Sequence, residues 1–125
     1  QNYWRVAIKT HDRFYVGTVE NGHIQLFDEF VNIPLPKTKL IEVAKTDKNI
    51  VAFLSFSPIY RWELSENERY TELRLIDLRY RSKGYYPFVA VVQIDEQYRI
   101  LNSYTGWIYS ERNLQKKLLF GDSAV

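Results

Sequence analysis

A chain of 125 residues with a formal charge of +2 and 46% hydrophobic content is one packed domain rather than a disordered segment. It has no cysteine, which excludes disulfides, thiolate nucleophiles and thiolate metal sites, and no methionine even at position 1, so a piece of a longer protein is expected. Apolar runs such as Ile50 to Leu54 fall far short of the roughly 20 residues that span a bilayer, no signal-peptide order opens the chain, and a charge of +2 does not by itself imply nucleic acid.

In chain order, Tyr3 to Lys9 alternates as a strand, with Trp4, Val6 and Ile8 on one face and Arg5 and Lys9 on the other. Phe14 to Val19 is a second strand. Asn21-Gly22 follows as a hairpin signal, since both positions of a type I′ turn need positive φ. Ile24 to Phe27 returns as a third strand, and Val31 to Pro36 is extended because each proline biases its predecessor away from the helical region. Two short helices are predicted next, one capped by Thr38 and running to about Lys45, the other capped by Asp47 and stopped by Ser57-Pro58. A meander follows: Ile59 to Leu64, Tyr70 to Arg79, and the nearly all-apolar Phe88 to Ile94, which belongs in the middle of a sheet. Tyr98 to Leu101 and Thr105 to Tyr109 read as two further strands. Ser110 then caps a final helix with Leu114 and Leu118 on one face, and the end, about 120–125, reads as frayed. The expected fold is α+β: a mainly antiparallel twisted sheet of about six to eight strands, two short inserted helices and a C-terminal helix, in a single soluble domain over 1–125.

The search for chemistry is mostly negative. His11 and His23 each lie beside a predicted turn and lack companion ligands, so no metal is expected. There is no G-x-S-x-G elbow and no glycine-rich phosphate loop. Glu63 and Glu72, with Arg61 and Arg74, read as cross-strand ion pairs of a hairpin. The segment from Tyr70 to Tyr86 is more open to a functional reading. Asp77 and Arg79 continue the face that carries Leu73 and Leu75, so Asp77 sits at the margin of the core and must find a donor. That pair is either architecture or a polar cleft for an anionic group, with Arg61, Trp62 and Arg81 nearby. The loop from Arg79 to Tyr86 interleaves bases with tyrosines, and Arg79, Arg81, Lys83, Tyr85 and Tyr86 could grip phosphates and stack bases.

Several stretches taken in series carry a resemblance: Val51-Ala52-Phe53-Leu54-Ser55-Phe56-Ser57, Ile59-Tyr60-Arg61-Trp62-Glu63, Leu73 to Tyr80 with its Asp77-Leu78-Arg79 core, and Tyr86-Pro87-Phe88-Val89-Ala90-Val91-Val92. With Trp4-Arg5-Val6 opening the first strand, the chain from Tyr3 to Leu118 resembles the C-terminal region of the YfhP/YdjM-like family of bacterial integral membrane proteins. That family is usually described as membrane-bound metal-dependent hydrolases. The resemblance implies a soluble tail outside the cell membrane, with the metal ligands in a membrane-embedded N-terminal half. It therefore carries over no catalytic residue, cofactor or metal to this chain.

The leading expectation is a non-catalytic extramembrane domain that binds a ligand or mediates assembly, using Asp77, Arg79, Arg61, Trp62 and Arg81. Its partners would be the membrane-embedded half and, through free sheet edges, a second copy. The runner-up is a phosphate- or nucleic-acid-binding sheet using Arg79, Arg81, Lys83, Tyr85 and Tyr86, and a third reading is a small hydrolase built on Asp77.

Overall fold

The computed structural model describes residues 3–120. Seven antiparallel strands form two sheets rather than one. The first sheet runs in order β1 (Tyr3–Lys9), β2 (Arg13–Glu20), β3 (His23–Val31). The second runs β4 (Tyr60–Glu66), β5 (Thr71–Asp77), β6 (Phe88–Ile94), β7 (Ile100–Trp107). Between β3 and β4 lie α1 (Lys39–Ala44) and α2 (Lys48–Phe56), and α3 (Glu111–Phe120) ends the described chain. The expected frayed tail lies outside the described residues beyond Phe120.

Local signals account for most of these elements. Asn21 and Gly22 take φ of 51° and 81°, as the type I′ turn between β2 and β3 demands. The Thr38 side chain accepts from the Ile41 N–H, and Asp47 accepts from Asn49 and Ile50, so each cap satisfies one or two of its helix's orphan donors. The Ser110 hydroxyl accepts from Asn113 at 3.0 Å and starts α3. Two expectations need correction. The break read between Leu101 and Thr105 is absent, and β7 is continuous. Its polar middle stays in the ladder because those side chains find partners, as where Asn49 donates to Ser103 at 2.7 Å. The ion pairs expected across the β4–β5 hairpin do not form across it either. Glu63 lies opposite Arg74, yet Arg61 turns to Glu63, and Arg74 turns to Glu72 and to Glu111 on α3.

Packing follows from the two apolar faces of the four-stranded sheet. Leu73, Leu75, Ala90, Val92 and Ile94 meet Ile41, Ala44, Ile50 and Phe53, so α1 and α2 cover one face. On the other, Ile76, Leu78, Val89, Val91 and Tyr104 meet Phe14 and Val16 of β2 and Leu114 and Leu118 of α3. Each large side chain so buried contributes about 1.5–3 kcal/mol. The outer face of the first sheet is left bare: Trp4, Ile8, Ile24 and Leu26 are exposed there, and no described element covers them.

A β-bulge gives β3 one extra residue, Phe27, against Val16 and Gly17. The strands pinch at this point, and a Cβ on Gly17 would lie 2.1 Å from the Gln25 carbonyl oxygen. Gly17→Ala is therefore expected to destabilise by about 1–3 kcal/mol. Gly22→Ala meets open space and incurs only the cost of its positive φ, about 1 kcal/mol. Thermal unfolding of the two variants checks this: the Gly17 variant should melt lower, and equal melting would show that the bulge can relax.

Candidate functional site

Asp77 ends β5 with its side chain completely buried, and the carboxylate is fully engaged. Oδ1 accepts from the Arg79 backbone N–H at 2.9 Å and from Arg79 Nε at 3.1 Å. Oδ2 accepts from the Ser57 hydroxyl at 2.5 Å and from Arg79 Nη2 at 2.8 Å. Arg79 also donates to the Phe56 carbonyl at 3.3 Å, and its guanidinium lies over the rings of Phe56 and Tyr80. This cluster locks the C-terminus of α2 to the end of β5. Both carboxylate oxygens thus have their lone pairs occupied within the protein.

A second carboxylate joins the two sheets. Asp28, just after the bulge, accepts from Arg81 Nε at 2.7 Å and from the Tyr86 hydroxyl at 2.5 Å, both through Oδ2. The Tyr86 hydrogen bond and the Arg81 guanidinium hold the Asp28 carboxyl below its usual value. Burial and the same hydrogen bond push the Tyr86 phenol far above its own. Arg81 also lies over the Phe27 ring, 4.7 Å from its centroid, so the bulge supplies both its counter-ion and its platform. A tight turn continues the loop: Ser82 and Tyr85 exchange backbone hydrogen bonds, and Lys83 and Gly84 take φ of 54° and 78°.

Between this loop and the overhanging end of the first sheet lies a hollow of about 340 Å³. Arg5, Thr18 and Phe27 line it from the first sheet, and Arg79, Arg81 and Lys83 from the loop. Every charged residue of the lining is basic. Arg79 and Arg81 are neutralised by Asp77 and Asp28. Arg5 and Lys83 have no carboxylate partner among the described residues.

The residues singled out in the sequence are thus divided. Arg79, Arg81 and Lys83 come together at this hollow. Arg61 and Trp62 line a different, smaller one beside β3, where Arg61 lies over Phe30 and Trp62 donates to the Ile33 carbonyl at 2.8 Å. Tyr86 is buried as a brace, and Tyr85 stands half-exposed on the far side of the turn. Arg5, Thr18 and Asp28 escaped sequence reasoning. Alternation puts Arg5 on the face opposite Trp4, but nothing in β1 indicates which distant loop that face meets. Among the described residues no group of three or more histidines or carboxylates converges as a metal site, and no helix is long and apolar enough to cross a membrane.

Comparison with known proteins divides the chain at the same seam. The family model described as the YfhP middle domain matches residues 1–30, and that described as the YfhP C-terminal alpha/beta plait domain matches residues 39–118. The chain is 54% identical over 118 residues to "Uncharacterized protein YfhP" of Bacillus subtilis (strain 168). That match covers 94% of this chain and 36% of the relative, so the chain spans about a third of the curated protein it matches. No solved structure matches it.

The two carboxylate clusters generate separate predictions. Asp77→Ala strands Arg79 and Ser57 around an empty position and should cost about 3–5 kcal/mol in urea unfolding. A loss below about 1 kcal/mol would show that the buried carboxylate is dispensable. At the seam, Asp28 is held below its ordinary value of 3.8, so its contribution is complete above that pH and lost as the pH falls further. Tyr86 is held above its ordinary value of 10.0, so its contribution is complete below pH 10 and lost as the pH rises beyond it. Melting temperature followed against pH should therefore lose part of its acid limb in Asp28→Asn and part of its alkaline limb in Tyr86→Phe. Unchanged limbs in both variants would refute the brace.

Proposed function

The chain belongs to the YfhP family, and from that premise we propose that it is a non-catalytic ligand-binding domain whose seam receives an anionic, phosphate-like group. The observation that carries the proposal is the hollow between the two sheets, whose charged lining is entirely basic. Ligand sites favour the clefts between domains, and this hollow draws Arg5 from the part matched by the middle domain and Lys83 from the part matched by the C-terminal domain. Arg81 and Arg79 are held in place by their own carboxylates. A ligand can therefore be met by Arg5 and Lys83 without first breaking an ion pair. The non-catalytic part of the proposal rests on the same pairing: each carboxylate beside the hollow is committed to an arginine rather than free to move a proton. In the longer protein we place this domain outside the membrane-embedded, hydrolase-like half that the sequence resemblance implies.

A second reading, assembly, is favoured by the bare outer face of the first sheet. Contiguous apolar faces mark contact surfaces, and a second copy packing sheet on sheet is the occupant proposed. Sedimentation tests it: self-association that Ile24→Lys abolishes supports the reading, and a monomer at every concentration removes it.

Calorimetric titration with pyrophosphate tests the leading proposal. Saturable binding is expected, weakening as salt is raised, with Arg5→Ala and Lys83→Ala each reducing affinity about tenfold while the melting temperature stays near the parent's. Absence of saturable binding, or binding indifferent to both substitutions, would overturn it.

A further inference from the structure

The turn that closes the basic hollow also opens a second one. Ser82 and Lys83 line both, and beyond them Tyr85, Pro87, Trp107 and Tyr109 line a hollow of about 630 Å³. Its rings are unusually bare for their size: Tyr85, Trp107 and Tyr109 are 38%, 47% and 84% exposed. The Trp107 ring is also held in position. Trp107 packs edge-on against Tyr80 and Phe88, each 5.0 Å from its ring centre. The Tyr109 backbone N–H donates to Asn113 Oδ1 at 3.1 Å, which anchors its end of the loop to α3. Pro87 and the doubly hydrogen-bonded Ser82–Tyr85 turn stiffen the opposite wall. No carboxylate lines either hollow. Glu111, whose charge is felt at Tyr85, is paired with Arg74.

Resting on the anion-binding reading above, we infer that the ligand is a nucleoside phosphate. Its phosphate lies in the basic hollow between Arg5 and Lys83, and its base stacks against Trp107 and Tyr109 across the Lys83 turn. A simple inorganic anion would use only the first hollow and leave the aromatic one wet. A greasy anion would not need rings. Stacking uses the π-face that every base presents, and bare aromatic rings beside cations are what such recognition requires. The residues differ from those the loop sequence alone suggests. Lys83 and Tyr85 stay in the set, Tyr86 leaves it because it is buried against Asp28, and Trp107 and Tyr109 enter from β7 and the segment after it. The same chemistry can come from a free nucleotide or from one residue of a single strand.

The test titrates the chain, by calorimetry and tryptophan fluorescence, with inorganic phosphate, a nucleoside, a nucleoside monophosphate and a short single-stranded oligonucleotide. The monophosphate should bind about tenfold or more tighter than phosphate. That advantage should disappear in Tyr109→Ala, or in Trp107→Leu, while phosphate affinity is retained. Because Tyr109 is so exposed, its substitution leaves the fold intact. Equal affinity per site for monophosphate and oligonucleotide supports the inference with a free nucleotide as ligand, and affinity that climbs with strand length supports it with a strand. If phosphate binds and the monophosphate binds no tighter, or if both variants keep the advantage, the nucleoside inference falls and the anion-binding reading stands. If neither phosphate nor monophosphate binds, both fall.

Discussion

The four-stranded sheet is apolar on both faces, and the rest of the structure answers that constraint. Along β5 and β6 nearly every side chain is buried, with Leu73 and Leu75 on one side and Ile76 on the other, Ala90 and Val92 alternating with Val89 and Val91. Two faces need two covers. The α1–α2 pair supplies one, which is why the chain interrupts its strands for two capped helices. The first sheet and α3 share the other. Toward one end of the first sheet, Arg5 and Thr18 line the hollow together with Arg79, Arg81 and Lys83 of the loop.

Charge then decides which basic groups of that seam are paired and which are not. Removing a carboxylate and a guanidinium from water is costly and is repaid only by close geometry and further hydrogen bonds. Asp77 meets that requirement with Ser57, Arg79 and a backbone N–H. Asp28 meets it with Arg81 and Tyr86, and in doing so pins the basic loop to the bulge of β3. Both pairs act as positioning devices. They consume the anions that would otherwise neutralise the pocket, and the positive charge that remains is on Arg5 and Lys83.

Much of this fold is legible in the sequence because it is local. The Asn21-Gly22 turn, the caps at Thr38, Asp47 and Ser110, and the Phe88–Ile94 strand all follow from backbone preference and periodicity. The YfhP part of the family resemblance carried by Asp77-Leu78-Arg79 and its neighbours agrees with the match to the YfhP middle and C-terminal domains. What was not legible depends on tertiary pairing. Asn102 and Ser103 fall in a break between two expected strands until Asn49 is brought beside Ser103. The division into two sheets depends on which face each strand must cover, and alternation alone does not reveal it. The candidate site was half visible: Arg79, Arg81 and Lys83 stand out as a cluster, whereas Arg5 and Asp28 are ordinary strand residues until the sheets meet.

The proposed role of this seam requires a built anion site rather than a surface depression. Backbone amide shifts followed by NMR while pyrophosphate is added test it most directly. The account predicts saturable shifts confined to the residues around Arg5, Thr18 and Arg81 to Lys83, with the outer face of the first sheet and α1 unmoved. Shifts scattered over lysines elsewhere on the surface, or none at these positions, would contradict it.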